Sequence, residues 1–221
     1  MLLPIPSTKD NIHVKGTDLL LSEATGAAGK GTYVCGYGIP EELRESLVCR
    51  GAEVFDGLLS EDFLSENAAL TVEGALGHLL TSSDASIREL RIGVIGYGRI
   101  GSRLLDSLIF LGARVRLYTR SERLRHALGE EGIESRAFVF DGDYSGLDVL
   151  INTAPARILS EEKMSECEKA GLRIIDLASG ECFPPSVSVL KLPSVPEVSY
   201  PKTAGRLYAE YIKKHFGWDK L

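Results

Sequence analysis

Residues 90–152 combine a short apolar run, a glycine-rich turn and an amphipathic run in that order. LRIGVIG (90–96) is apolar and rich in β-branched residues, as a strand buried on both faces requires. RIGSRLLDSLIFLGA (99–113) then places Ile100, Leu104, Leu105, Leu108, Ile109 and Leu111 at helical spacing and stops at Gly112. Between them, Gly96-Tyr97-Gly98-Arg99-Ile100-Gly101 fits G-x-G-x-x-G. That spacing is weak alone, but here it has the strand before it and the helix after it that its chemistry needs.

The pattern continues. RVRLYT (114–119) reads as a strand, SERLRHALGEEG (121–132) as a helix capped by Ser121, and GLDVLINTA (146–154) as a strand. SEEKMSECEKAG (160–171) reads as a helix and LRIIDLA (172–178) as a strand. Strands alternating with helices predict βαβ units and a doubly wound parallel Rossmann sheet. Upstream, TVEGALGHLLTSS (71–83) is helical in pattern, with Glu73 expected in its first turn, and SDAS (83–86) reads as a linker. The front shows LLPI, TYVCGY and EVFDGL as short strands and PEELRESLVCRG as a helix with Pro40 near its start. The fold class expected is therefore α/β: the Rossmann sheet plus a smaller, incomplete α/β N-terminal domain, linked by crossing helices. The expected divisions are 1–83, a partial substrate-type domain with its linking helix; 84–202, the dinucleotide-binding domain; and 203–221, a C-terminal helix returning to the first domain.

Composition narrows the partners. The net charge of −6, from 25 Lys and Arg against 31 Asp and Glu, leaves no cationic excess for a phosphate backbone and argues against nucleic acid. No apolar run reaches the roughly 20 residues of a membrane helix, and the start lacks the pattern of an export signal. The four cysteines, Cys35, Cys49, Cys167 and Cys182, form no CxxC pair and fit no zinc spacing, so no metal is expected. They read as reduced thiols of a cytoplasmic protein, with Cys182 in a polar and accessible loop.

The chemistry expected of the glycine turn is dinucleotide binding. Gly96 allows the tight turn, Gly98 lets a pyrophosphate approach the backbone, and Gly101 lets helix and strand pack closely. Tyr97, Arg99 and Ile100 complete the turn, whose helix N-terminus offers free N–H groups. At the end of the second strand, Thr119-Arg120-Ser121 carries no acid for a ribose 2′-hydroxyl. Arg120, with Thr119, Ser121 and Arg123 beside it, suits a 2′-phosphate, so NADP is favoured over NAD. Glu122 is the opposing charge and reads as support for its own helix. Thr153, Ala154 and Pro155, and Ala178 after the next strand, end strands at the same carboxyl edge, where α/β sheets bind ligands.

Four segments, TVEGA, GYGRIG, INTAP with DLAS, and PSVPEVSYPKTAGRLYAE (193–210), occur in an order that resembles the A-type subunit of dipicolinate synthase. The resemblance covers roughly residues 67–215, more loosely LPIPSTKDNIHV and residues 61–63, and the chain looks shortened at its N-terminus relative to the family. It implies NADP-linked oxidation of dihydrodipicolinate to dipicolinate, a small dicarboxylate substrate, a homodimer and a flavoprotein-like second subunit. It also implies a domain layout like that of D-2-hydroxyacid and alanine dehydrogenases. In that layout the loop of residues 193–205 lies across the cleft. Lys202 would then meet a substrate carboxylate and Thr203 would cap the last helix or donate to substrate. Ser7 and Thr8 would face them, and Glu73 or Asn67 would orient the substrate, with Lys202 and Glu73 as the catalytic candidates. Two departures stand out: Gly180-Glu181-Cys182-Phe183 replaces the family's Lys-Pro-Gly-Gly-like turn, and Glu197 replaces a glycine. A carboxylate at 197 would repel a dicarboxylate. The alternatives kept open are a catalytically impaired nucleotide-binding subunit or sensor, and a hydroxyacid or amino-acid dehydrogenase. The latter would need an Arg and a His/Glu pair; His78, about two turns after Glu73, is its weak candidate.

Overall fold

A computed structural model describes residues 1–186 and 188–218, and these divide into two compact units. One comprises Met1–Asn67 with the chain from Lys202 onward; the other is Ala68–Pro201.

The first unit contains a short helix α1 (Leu21–Ala24), strand β1 (Tyr33–Gly36), helix α2 (Glu41–Cys49) and strand β2 (Glu53–Asp56). Strands β1 and β2 pair in parallel, Tyr33 against Glu53 through Gly36 against Asp56. LLPI, expected as a third strand, makes only an isolated bridge, Leu2 to Cys35, because Pro4 and Pro6 lack the N–H a ladder needs. Helix α3 (Glu61–Thr81) starts here. It begins ten residues upstream of the helix expected at Thr71. Its first turn therefore carries Glu61 and Asp62, and Glu73 falls in mid-helix rather than in an opening turn. The last helix of the chain, α8 (Pro201–Phe216, after the elements given below), also belongs mostly to this unit. Its Tyr208 packs with Cys35, Phe55 and Phe63, with ring centroids 5.7 Å from Phe55 and 5.5 Å from Phe63. The Tyr208 hydroxyl donates to Gly36 O at 2.7 Å, which satisfies the polar end of this buried ring.

The second unit carries a six-stranded, all-parallel sheet. In chain order its elements are β3 (Arg91–Ile95), α4 (Arg99–Phe110), β4 (Arg114–Thr119), α5 (Glu122–Glu130) and β5 (Glu134–Ala137). There follow β6 (Val149–Asn152), α6 (Glu161–Lys169), β7 (Arg173–Asp176), β8 (Val189–Lys191) and the short helix α7 (Val195–Ser199). The spatial order is β5-β4-β3-β6-β7-β8, the doubly wound arrangement that the alternating pattern predicts. The sequence reading missed β5 and β8. ESRA and VLK are short edge strands with mostly exposed side chains, so they carry no apolar signature.

The central strands are buried on both faces, and neighbouring residues serve opposite cores. Ile92 and Val94 of β3, with Val149 and Ile151 of β6, join Leu104, Leu105 and Leu108 of α4 and Val72 and Leu79 of α3. Ile95 of β3 and Leu150 of β6 turn to the other side, against Met164 and Cys167 of α6, Ile158 and Leu159. Each fully buried Leu or Ile contributes about 1.5–3 kcal/mol of transfer free energy, and this two-sided burial fixes strand register.

Helix α7 rests on α3 at Gly74. A Cβ there would overlap Val195 Cγ1 and come within 2.9 Å of Ser199 Oγ, whereas a Cβ at Gly77, one turn on, would meet nothing. Gly74→Ala is therefore expected to destabilise by roughly 1–3 kcal/mol through overpacking. Gly77→Ala is expected to stabilise by up to about 1 kcal/mol through helix propensity. Denaturant unfolding of the two variants checks both signs.

Candidate functional site

The site is built at the carboxyl ends of β3 and β6, adjacent strands whose connections leave in opposite directions. Gly96 follows β3 with φ +94°, a conformation that disfavours any residue with a Cβ. Its N–H donates to Tyr118 O at 3.0 Å, so the turn is tied to β4 as well. Gly98 is the N-cap residue of α4, and no side chain caps that helix. A Cβ at Gly98 would meet no protein atom within 4 Å, so the space before the N-terminus is open. At Gly101 the opposite holds. A Cβ would overlap Gly96 O and lie 2.9 Å from Thr153 Oγ1, so the close approach of α4 to the turn needs glycine. Tyr97 and Arg99 are exposed beside the opening, and Ile100 packs inward against the α4 core.

The neighbouring loop meets the same turn. Thr153 N–H and Oγ1 both donate to Ile95 O, at 2.9 and 2.8 Å, and a Cβ on Gly96 would fall 2.7 Å from Thr153 Oγ1 and 3.3 Å from Ala154 Cβ. The structure thus brings the glycine turn together with Thr153 and Ala154, with Pro155 exposed just beyond.

Behind this loop stands a polar pair absent from the sequence-based site. Asn152 and Asp176, which end β6 and β7, are both buried, and Asn152 Nδ2 donates to Asp176 Oδ1 at 2.8 Å. Asn152 also spans Ala154, accepting its N–H at 3.0 Å and donating to its carbonyl at 3.1 Å. Asp176 Oδ1 further accepts from Ala178 N–H at 3.2 Å, which places Ala178 by way of the same carboxylate. The usable signal was that a polar residue ends each of two otherwise apolar strands. Cys182 joins this cluster and corrects the expectation of an accessible thiol. It is 2% exposed, near Ala154 O at 3.7 Å and Ser179 O at 3.8 Å. Burial, with the Asp176 charge second, pushes its thiol up, so it is not held as the thiolate a nucleophile requires.

The tip of β4 holds the second group. Thr119 is buried and its Oγ1 accepts from Ser121 N–H at 3.3 Å; Ser121 Oγ caps α5 by accepting from Leu124 N–H at 3.2 Å. Arg120 and Arg123 are exposed, and the Arg120 guanidinium lies over the Phe138 ring, 5.5 Å from its centroid. Arg125 donates to Thr119 O at 2.9 Å.

The expected substrate groups fall as follows. Glu73 is exposed on α3 and hydrogen-bonds the Tyr200 side chain, a partner the sequence did not suggest. Burial, and then the Glu73 charge and hydrogen bond, raise the Tyr200 hydroxyl. Ser7 and Thr8, in the first unit, are buried with internal partners: Ser7 Oγ accepts from Tyr37 N–H at 2.8 Å and Thr8 Oγ1 donates to Asp10 at 3.1 Å. Asn67 is half-buried on α3. Because α8 starts at Pro201, Lys202 and Thr203 lie within its first turn, and Thr203 is not the cap. Lys202 is exposed. Among the described residues no group of three or more His, Cys, Asp or Glu could hold a metal ion, and no helix is long and apolar enough to cross a membrane.

No protein-family model matches the chain. Dipicolinate synthase A of Bacillus subtilis (strain 168) is 30% identical over 167 residues, 70% of this chain and 54% of that protein. The crystal structure of dipicolinate synthase A from Bacillus halodurans superposes with a TM-score of 0.78 at 24% identity, covering 96% of this chain and 77% of the solved one. The chain resembles dipicolinate synthase A. It spans about half the length of the curated B. subtilis relative. A transhydrogenase from Sinorhizobium meliloti shares the fold more distantly, with a TM-score of 0.63 at 18% identity over 87% of this chain and 69% of that one. The likeness to dipicolinate synthase A thus extends from the quoted motifs to the Rossmann-type architecture that carries them.

Asp176 supplies a pH prediction at this edge. Burial raises its carboxyl above the ordinary value of 3.8, against the lowering by Asn152 and Ala178 N–H. A carboxylate with a raised folded pKa penalises the native state once ionised, and the penalty fades as pH falls through that raised value toward the ordinary one. Asp176→Asn is therefore expected to be at least as resistant to denaturant as the parent at pH 7.5, with the gap closing in acid. A variant weaker at every pH would show the ionised form to be net favourable.

Proposed function

We propose that this chain binds a nicotinamide dinucleotide at the Gly96–Gly101 turn and works as an NADP-linked oxidoreductase of the dipicolinate synthase A type. One observation carries the reading. The N-terminus of α4 lacks a side-chain cap and opens onto free space at Gly98, while Gly101 and Thr153 hold the turn closed behind it. A helix N-terminus without a side-chain cap, together with the helix dipole, suits a pyrophosphate in that position. Arg120 at the tip of β4, with no acid on that tip, supports NADP over NAD.

When bound, the nicotinamide would accept the hydride that leaves a dihydropyridine dicarboxylate as it becomes aromatic. The chain's own groups would do the rest. Thr153, Ala154 and Ala178 would border the cofactor. Lys202 would hold a substrate carboxylate, Ser7, Thr8, Asn67 and Thr203 would supply polar contacts, and Glu73 would take the ring proton. A homodimer and a flavoprotein-like second subunit in the cytoplasm belong to the same reading.

A second reading is a nucleotide-binding subunit or sensor with impaired catalysis. Two observations favour it: the Glu73 carboxylate is engaged by Tyr200, and Ser7 and Thr8 are buried in internal hydrogen bonds.

Calorimetric titration with NADP and NAD, with and without dipicolinate, separates the readings. The enzyme reading predicts NADP binding that tightens with dipicolinate. Lys202→Ala would remove the tightening, about tenfold as for one charge-assisted contact, and leave NADP binding alone. NADP binding indifferent to dipicolinate would favour the sensor. Gly98→Ala is expected to fold normally and lose nucleotide binding, since only the ligand would meet its methyl. Binding of neither nucleotide by the parent chain would overturn the proposal.

A further inference from the structure

We propose that Phe138 selects for the 2′-phosphate by holding the Arg120 guanidinium in place, an inference that rests on the nucleotide reading above. An arginine on an exposed turn ordinarily samples many rotamers, and ordering it on binding loses affinity. Here the guanidinium already lies over an aromatic face, 5.5 Å from the centroid. Phe138 is itself fixed. It follows β5, its N–H donates to Thr119 O at 3.1 Å, and its partly buried side chain packs against the cluster that contains Tyr118 and Tyr144. The ring therefore belongs to the sheet, and the cation rests on it.

A guanidinium held over a ring face by cation–π attraction still has N–H groups directed away from the ring, and these can bind a phosphate in a fork. The surroundings favour an anion. Arg123 and Arg125 flank the turn, with Glu122 the opposing charge on the first turn of α5, and Arg125 is already committed to Thr119 O. The Ser121 hydroxyl accepts from Leu124 N–H and keeps its own proton for donation. Phe138 would touch neither the phosphate nor the reacting atoms; it is a positioning residue for specificity. The sequence hides it, because its partner lies eighteen positions upstream across a strand edge with no apolar pattern.

The test uses the full chain and two probes, NADP and NAD, titrated against Phe138→Ala, Phe138→Trp, Arg120→Ala and the Phe138→Ala/Arg120→Ala pair. Phe138→Ala is expected to weaken NADP roughly threefold, the range of an exposed cation–π contact, with NAD unchanged. Phe138→Trp restores NADP binding. Arg120→Ala weakens NADP by about 10–100-fold, as the loss of a charge-assisted pair would, and in its background Phe138→Ala has no further effect. Equal weakening of NADP and NAD by Phe138→Ala, or an undiminished effect without Arg120, would overturn the inference and leave the nucleotide reading standing. An Arg120→Ala variant with full NADP affinity would instead overturn the NADP assignment itself, and this inference with it.

Discussion

The close approach of α4 to the end of β3 is the constraint on which the site depends. Gly101 can lie against the Gly96 carbonyl only because it carries no side chain, and that contact aims the helix N-terminus at the sheet edge. Thr153, donating twice to Ile95 O, closes the remaining side. Three glycines thus do three different physical jobs: a positive φ at 96, an unobstructed backbone at 98 and a packing contact at 101. The two-sided core beneath, Leu104, Leu105 and Leu108 on one face and Met164 and Cys167 on the other, keeps the strand ends level so that the turn and the Asn152–Pro155 loop meet.

The carboxyl edge is stiffened by polar groups rather than by apolar packing. Asn152 bonds both the carboxylate of Asp176 and the backbone of Ala154, so the ends of β6 and β7 and the loop between the sheet and α6 share one hydrogen-bonded unit. Burial of a carboxylate is unfavourable, as the raised Asp176 carboxyl records. Natural sheets keep such groups where they hold a loop for a purpose.

Much of the second unit was legible. The apolar runs of β3, β4, β6 and β7, the amphipathic α4 and the glycine spacing all agree with one another, and agreement across levels is what a doubly wound sheet requires. The misses share a cause. β5 and β8 are edge strands with few buried side chains, so no period-two pattern marks them. Residues 193–205 are expected as a loop, yet they hold α7, because Pro196 in the first turn of a helix loses no hydrogen bond. Its docking on Gly74, the Glu73–Tyr200 contact and the Arg120–Phe138 cation–π contact join residues far apart in sequence, and periodicity is silent about such pairs. The polar loop around Cys182 suggests an accessible thiol, but the fold turns it inward, against the Asn152–Asp176 pair and a buried apolar cluster.

The central claim is that a dinucleotide seats on the turn at Gly96–Gly101. Amide hydrogen exchange with and without saturating NADP tests it most directly. The account predicts protection confined to residues 96–103, 119–123, 152–156 and 176–180, the segments at the carboxyl edge of the sheet that the proposed site uses. Protection elsewhere with none at 96–103, or no change at all, would contradict it.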